Sequence, residues 1–207
     1  MKSLLCILLT VFSACPVSGN SQPQTDAVMS FVSRISGGCV SFRYSFVIKT
    51  LSSSGKVTGE GSVLMQGASY HLQGNGMEVW CDGNSVWTAD LSSKEVVIEP
   101  ATEDVLVNPA LILSDLPRHF SWQSAYREGT FSSQPSRVFL LKPLSKSDMQ
   151  SLELFFDSRG MELLGGRMLL KDNVSATFFI SGLAVRETVT KFVPESFPSE
   201  WIVTDLR

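Results

Sequence analysis

The chain has 207 residues, 43% hydrophobic and only 18% charged, with 17 Lys and Arg against 20 Asp and Glu. This composition argues against intrinsic disorder and for a greasy globular domain with a sizeable core. The mildly acidic balance and the lack of a basic block argue against nucleic acid and anionic lipid headgroups as partners, since both need clustered positive charge.

Residues 1–19 read as a targeting segment. Lys2 gives a positive start, Leu4 to Ala14 is an almost unbroken apolar run, and Val17-Ser18-Gly19 puts small residues where a signal peptidase cuts. The run is too short to anchor stably in a bilayer. An alternative takes Phe12-Ser13-Ala14-Cys15 as a lipobox with Cys15 lipidated, although Phe12 is a poor first residue for it. Residues 20–207 then form a single domain. Of the four cysteines, Cys39 and Cys81 remain after cleavage, and export makes them a candidate disulfide, the alternative being two small buried hydrophobes. The two histidines, His71 and His119, have no ligand spacing to either cysteine, so no metal site is expected.

Residues 25–36 predict an amphipathic helix. Thr25 is placed to cap it, Asp26 suits its positive end, Val28, Phe31, Val32 and Ile35 recur at helical spacing, and Gly37-Gly38 ends it. The strongest strand signal follows. Val40, Phe42, Tyr44, Phe46 and Ile48 alternate with Ser41, Arg43, Ser45, Val47 and Lys49, giving one aromatic and apolar face and one largely polar face.

Ser52-Ser53-Ser54-Gly55 turns the chain into a strand over 57–66. Its Gly59 and Gly61 mark a bend or a place where something approaches the backbone closely. Strands at 69–73, 77–82, 85–90 and 95–99 follow, joined by Gly74-Asn75-Gly76, Asp82-Gly83-Asn84 and Leu91-Ser92-Ser93-Lys94. Such short turns imply an antiparallel meander.

Pro100 breaks the pattern. Asn108-Pro109-Ala110-Leu111-Ile112-Leu113 predicts a short apolar helix with Pro109 in its first turn, and Pro117, His119 and Trp122 lie in loop with another helical turn. Strands resume at 136–142, 150–157, 161–170 and 174–181. Asp157-Ser158-Arg159-Gly160 forms a hairpin turn, Gly165-Gly166 marks a bulge, and residues 201–204 form a last edge strand. The fold class is mainly β, with roughly ten or eleven strands in one curved antiparallel sheet and a few short helices against it. A sheet of that size must curl, and helices over its mouth enclose an apolar space.

No catalytic constellation is legible. The chain has no Gly-x-Ser-x-Gly elbow, no phosphate loop between a strand and a helix, and no reason to select a carboxylate pair. His71 alternates within a strand and His119 follows Pro117-Arg118 in a loop, so both read as non-catalytic. The unusual inventory is apolar: 13 Phe, 4 Trp and 7 Met in a mostly β chain. A single sheet with little helix has difficulty covering a whole aromatic face, which favours a binding module over an enzyme.

Several motifs, in order along the chain, resemble the LolA family of periplasmic outer-membrane lipoprotein carriers. They are Ser41-Phe42-Arg43-Tyr44-Ser45-Phe46 in the first strand, Gly59-Glu60-Gly61 before the second, and Asp82-Gly83-Asn84-Ser85-Val86-Trp87 at the family's Asp-Gly-Lys-x-Leu-Trp turn. Asn108 to Leu113 falls at the apolar lid helix, followed by Leu141-Lys142-Pro143, Asp157 to Gly160, and Phe192-Val193-Pro194. The resemblance implies an unclosed half-barrel under a helical lid, with an apolar cavity for the acyl chains of lipid-modified lipoproteins. It also implies a monomeric periplasmic carrier with no catalytic residue or cofactor, loaded by an ATP-driven transporter of the inner membrane and unloaded at an outer-membrane acceptor. The expected lining is Phe42, Tyr44, Phe46, Ile48, Val63, Met65, Leu72, Val79 and Trp87, with Leu111 and Ile112 from the lid. The alternative is a tethered or soluble envelope module of the same fold that binds lipid or protein. One departure stands out: the family's Arg-Pro after the second strand, which ties sheet to lid, is replaced by Met65-Gln66-Gly67-Ala68-Ser69-Tyr70.

Overall fold

The computed structural model describes residues 26–50, 55–101, 113, 116–123, 125–186 and 191–207. The targeting segment, Thr25, and lid residues Leu111 and Ile112 lie outside the described residues.

Helix α1 (Ala27–Ser36) begins at Asp26, whose Oδ1 accepts from the amides of Val28 at 3.0 Å and Met29 at 3.2 Å. Asp26 is therefore the cap in place of the expected Thr25, because its carboxylate satisfies two orphan amides of the first turn. The helix buries Ala27, Val28, Phe31, Val32 and Ile35 on one stripe.

The meander then runs through β1 (Cys39–Thr50), β2 (Lys56–Gln66), β3 (Ser69–Gly74), β4 (Met77–Cys81), β5 (Ser85–Asp90) and β6 (Glu95–Pro100). The expected turn residues Asn75, Gly76, Gly83 and Lys94 take positive φ, and so does Gly67 between β2 and β3. After the four-residue helix α2 (Leu116–His119) come β7 (Phe120–Trp122), β8 (Arg127–Phe131), β9 (Gln134–Pro143), β10 (Met149–Asp157), β11 (Leu163–Leu170), β12 (Val174–Arg186) and β13 (Ile202–Asp205). The sheet therefore has 13 strands, more than the pattern predicts.

The extra strands have physical reasons. Strand β7 is three residues long and follows a proline-containing helical turn, too short for alternation to register. Strand β8 is joined to β9 by Ser132 and Ser133, both at positive φ, which carry none of the Asn-Gly or Asp-Gly chemistry that announces such a turn.

All strands form one curved, unclosed sheet in the order β13-β6-β5-β4-β3-β2-β1-β12-β11-β10-β9-β7, with β8 also on β9. Every pairing is antiparallel except β13 with β6. The expected bulge is present: Phe155 pairs with Gly165 while Phe156 pairs with Leu163, and Gly165 has φ 153°.

The main core lies on the inner face. There α1 packs Phe31 edge-on against Phe156 at 5.7 Å, and Phe156 meets Phe139 edge-on at 5.5 Å. Leu116 and Phe120 extend this core, and Trp122 Nε1 donates to Asp26 Oδ2 at 3.0 Å, joining β7 to the start of α1. The outer face has two smaller clusters. One gathers Ala89, Val96 and Ile98 with Trp80, Trp87, Phe197 and Trp201, and the other Phe131, Val138 and Phe155 with Leu164 and Phe179.

Candidate functional site: an apolar cavity on the inner face

Alternation and register together decide what faces inward. Phe42 pairs with Val63, Val63 with Leu72, Leu72 with Val79, and directly paired residues share a face. On the other side of β1, Tyr44 pairs with Ile180, Phe46 with Phe178 and Ile48 with Ala176. Helix α1 and the Leu116–Trp122 segment fill one part of the inner face. The remainder is a cavity of about 360 Å³ lined by Phe42, Tyr44, Phe46, Ile48, Val63, Leu72, Leu113, Met168, Ala176, Phe178 and Ile180. That volume falls in the range of about 300–1,000 Å³ typical of small-molecule pockets.

Six of the residues anticipated from the sequence thus meet in one cavity: Phe42, Tyr44, Phe46, Ile48, Val63 and Leu72. Met65 is buried in the core on the same face, beside Tyr70 and Val40, and Val79 packs against that core. Trp87 is a correction. It pairs with Trp80, which pairs with His71 and stacks on it at 5.1 Å, and this row occupies the outer face. The Asp82-Gly83-Asn84 turn fixes the register so that Val86, not Trp87, points inward with Cys81.

Leu113, Met168, Ala176, Phe178 and Ile180 line the cavity without having been anticipated. The alternation of Ala176, Phe178 and Ile180 is visible in the sequence. That β12 pairs with β1, joining strands at opposite ends of the chain, is not.

Glycines shape the floor. A Cβ on Gly59 would lie 2.6 Å from the Phe46 ring, one on Gly61 would lie 2.7 Å from Tyr44 Oη, and one on Gly166 would meet the Phe178 ring. Each aromatic therefore lies down over a neighbouring strand instead of standing into the cavity, and Tyr44 and Phe46 stack at 6.4 Å with 12° between their planes. Side chains at these glycines would raise the rings and fill the space.

The cysteines are a second correction: both are buried and free. Cys81 faces inward with Tyr70 and Met65, while Cys39 precedes the inward-facing Val40 and so lies on the other face of the sheet. The Cys81 thiol instead donates to Ala68 O at 3.6 Å and accepts from the Gly83 amide at 3.4 Å, tying down the turns that flank β3 and β4. Burial raises the pKa of both thiols. Burial, with Cys81 beside it, pushes the Tyr70 phenol up to about 12. The segment that lacks the family's Arg-Pro is thus a tight hairpin plugged by Met65 and Tyr70, 2% and 3% exposed.

Polar side chains concentrate on the outer face. His71 Nε2 lies 2.7 Å from Glu78 Oε1, which also accepts from Gln73 Nε2 at 2.7 Å. Glu153 accepts from Arg127 at 2.6 Å and Arg167 at 3.5 Å, an exposed network of modest energetic weight. Among the described residues no three His, Cys, Asp or Glu side chains are grouped to hold a metal ion, and no helix is long and apolar enough to cross a membrane. Among the described lining residues only Tyr44 carries a polar side-chain atom, so that lining offers shape and apolar contact.

Fold and site together define an unclosed antiparallel sheet that curves around an apolar cavity. Solved structures with a similar fold come from several bacteria. The chain is similar to a conserved uncharacterized protein from Thermus thermophilus, at 9% identity and a TM-score of 0.54 over 86% of this chain and 96% of that one. It is also similar to a LolA superfamily protein from Nitrosomonas europaea, at 12% identity and a TM-score of 0.46 over 79% and 94%. A DUF1329 family protein from Desulfovibrio piger aligns at 8% identity and a TM-score of 0.44 over 81% and 93%. No family model matches the sequence, and no curated protein matches it. At these identities the likeness shows the fold alone.

Proposed function

We propose that this chain is an exported envelope carrier without enzymatic activity, which shelters the acyl chains of lipid-modified cargo in the inner-face cavity and moves them through an aqueous compartment. The cavity itself carries the reading: its described lining is apolar except for one hydroxyl, and its floor is held open by Gly59, Gly61 and Gly166. Each acyl methylene left in water costs about 0.8 kcal/mol, so transport requires such a shelter. Release requires that the shelter be adaptable, and the half-buried rings of Tyr44, Phe46 and Phe178 with Met168 suit that need.

In this reading residues 1–19 direct export and are removed, and the mature chain shuttles as a monomer in the periplasm. Cargo comes from an ATP-driven transporter of the inner membrane and passes to an acceptor at the outer membrane. The motifs from Ser41 to Pro194 that resemble the LolA family support this route.

Displacement of a fluorescent polyene fatty acid by palmitate tests the reading. Saturable binding of one probe per chain, lost on displacement, is the expected result. Absence of saturable binding by the folded protein would overturn it. The mass of the mature N-terminus tests export separately: a start near Asn20 fits a shuttle, and a lipidated Cys15 would contradict one.

A further inference from the structure

The Tyr44 hydroxyl is a polar tip at the edge of the cavity, on a half-buried side chain. Among the described lining residues it is the one polar side-chain group, and it makes no hydrogen bond to another described residue. With no protein partner among them, it is free to bond water or a bound molecule. Its position is nevertheless well defined. The ring stacks on Phe46, and the hydroxyl lies over the cross-strand pair Gly61 and Gly74, where added Cβ atoms would sit 2.7 and 3.0 Å from it. Those two glycines leave bare backbone, so no side chain of theirs covers the oxygen.

Gly74 is the last residue of β3, so the hydroxyl lies at the end of that strand, beside the Asn75-Gly76 turn. Burial raises the Tyr44 pKa, which keeps the phenol protonated and able to donate.

Building on the carrier reading, we propose that the Tyr44 hydroxyl donates a hydrogen bond to the carbonyl end of a bound acyl chain. The chain would then lie in one direction, its hydrocarbon over Phe46 and Phe178 and its polar end at the rim formed by Gly61 and Gly74. The hydroxyl would thus distinguish acyl groups from hydrocarbons of equal length. Acyl carbonyls occur both in esters and in free fatty acids, and the hydroxyl can serve either.

The test compares the wild-type protein with Tyr44→Phe, which removes one oxygen and keeps the ring, using palmitate, methyl palmitate and hexadecane as probes. The expected result is a loss of about 3- to 10-fold in affinity for palmitate and methyl palmitate, as for one net hydrogen bond, with hexadecane unchanged. A loss confined to palmitate also supports the donor and assigns it to a free carboxylate. An equal loss for all three probes would mean that only ring packing changed and overturns the proposal, as does no loss for any. If wild-type protein binds the acyl probes and Tyr44→Phe binds them equally, the carrier reading survives and this inference fails. If wild-type protein binds none of the three, both fall.

Discussion

Phe46→Asn is the most informative single substitution. Phe46 lies in the middle of the cavity floor, stacked on Tyr44, paired across strands with Phe178, and resting over Gly59. An amide there keeps water in the part of the floor that the ring occupies, and it adds no charge to repel a fatty-acid carboxylate. Roughly three methylenes of a bound chain would lose their shelter, at about 0.8 kcal/mol each. The affinity for palmitate should then fall by about 2.4 kcal/mol, or about 60-fold. Phe46 is only half-buried, so its cost to folding should be smaller, about 1–2 kcal/mol. Calorimetric titration with palmitate, alongside urea unfolding of the same samples, separates the two effects. Leu140→Asn is the control, since Leu140 pairs with Glu153 on the outer face and is 49% exposed. An affinity for Phe46→Asn within about twofold of this control would refute the placement of the chain on the aromatic floor.

Three other outcomes follow from the packing. Phe156→Ala removes a fully buried ring that meets both Phe31 and Phe139, and it should cost about 3–5 kcal/mol in urea unfolding; a loss below about 1 kcal/mol would mean that α1 does not seat there. Cys39 and Cys81 should resist a thiol reagent in the native protein and both react in denaturant without prior reduction; two unreactive sulfurs in denaturant would show that they are joined after all. The folded protein keeps the Tyr70 phenol protonated past pH 10.0, where an unfolded tyrosine is half ionised, so its contribution to stability is full well below pH 10 and is lost as pH rises towards 12. Urea midpoints should fall over that window, and the fall should be smaller in Tyr70→Phe; identical pH profiles for the two proteins would count against the buried phenol.

Local chemistry was legible in the sequence and long-range pairing was not. The β1 alternation, the turns at Asn75-Gly76 and Asp82-Gly83, and the Gly165 bulge each depend on a few adjacent residues, and the structure has them where the sequence puts them. The glycines at 59 and 61 were readable as places of close approach, but which rings approach them depends on register. Trp87 shows how register misleads. A hairpin whose arms both carry tryptophan looks the same from either face, and the inward row is set only by pairing through β3 back to Val63. Much of the cavity wall comes from β11 and β12, whose place beside β1 no local pattern announces. Strand β8 escaped for another reason, because Ser132 and Ser133 take the left-handed conformation without glycine or asparagine to mark it.

The most direct test of a carrier is what it holds when isolated from the cells that make it. Native mass spectrometry of the purified protein should show, beside the bare mass, adducts that disappear on organic extraction and that fragment to acyl chains. Tyr44→Phe and Phe46→Asn should reduce their share. A single bare mass from freshly isolated protein, together with no uptake of palmitate by the folded chain, would contradict the account.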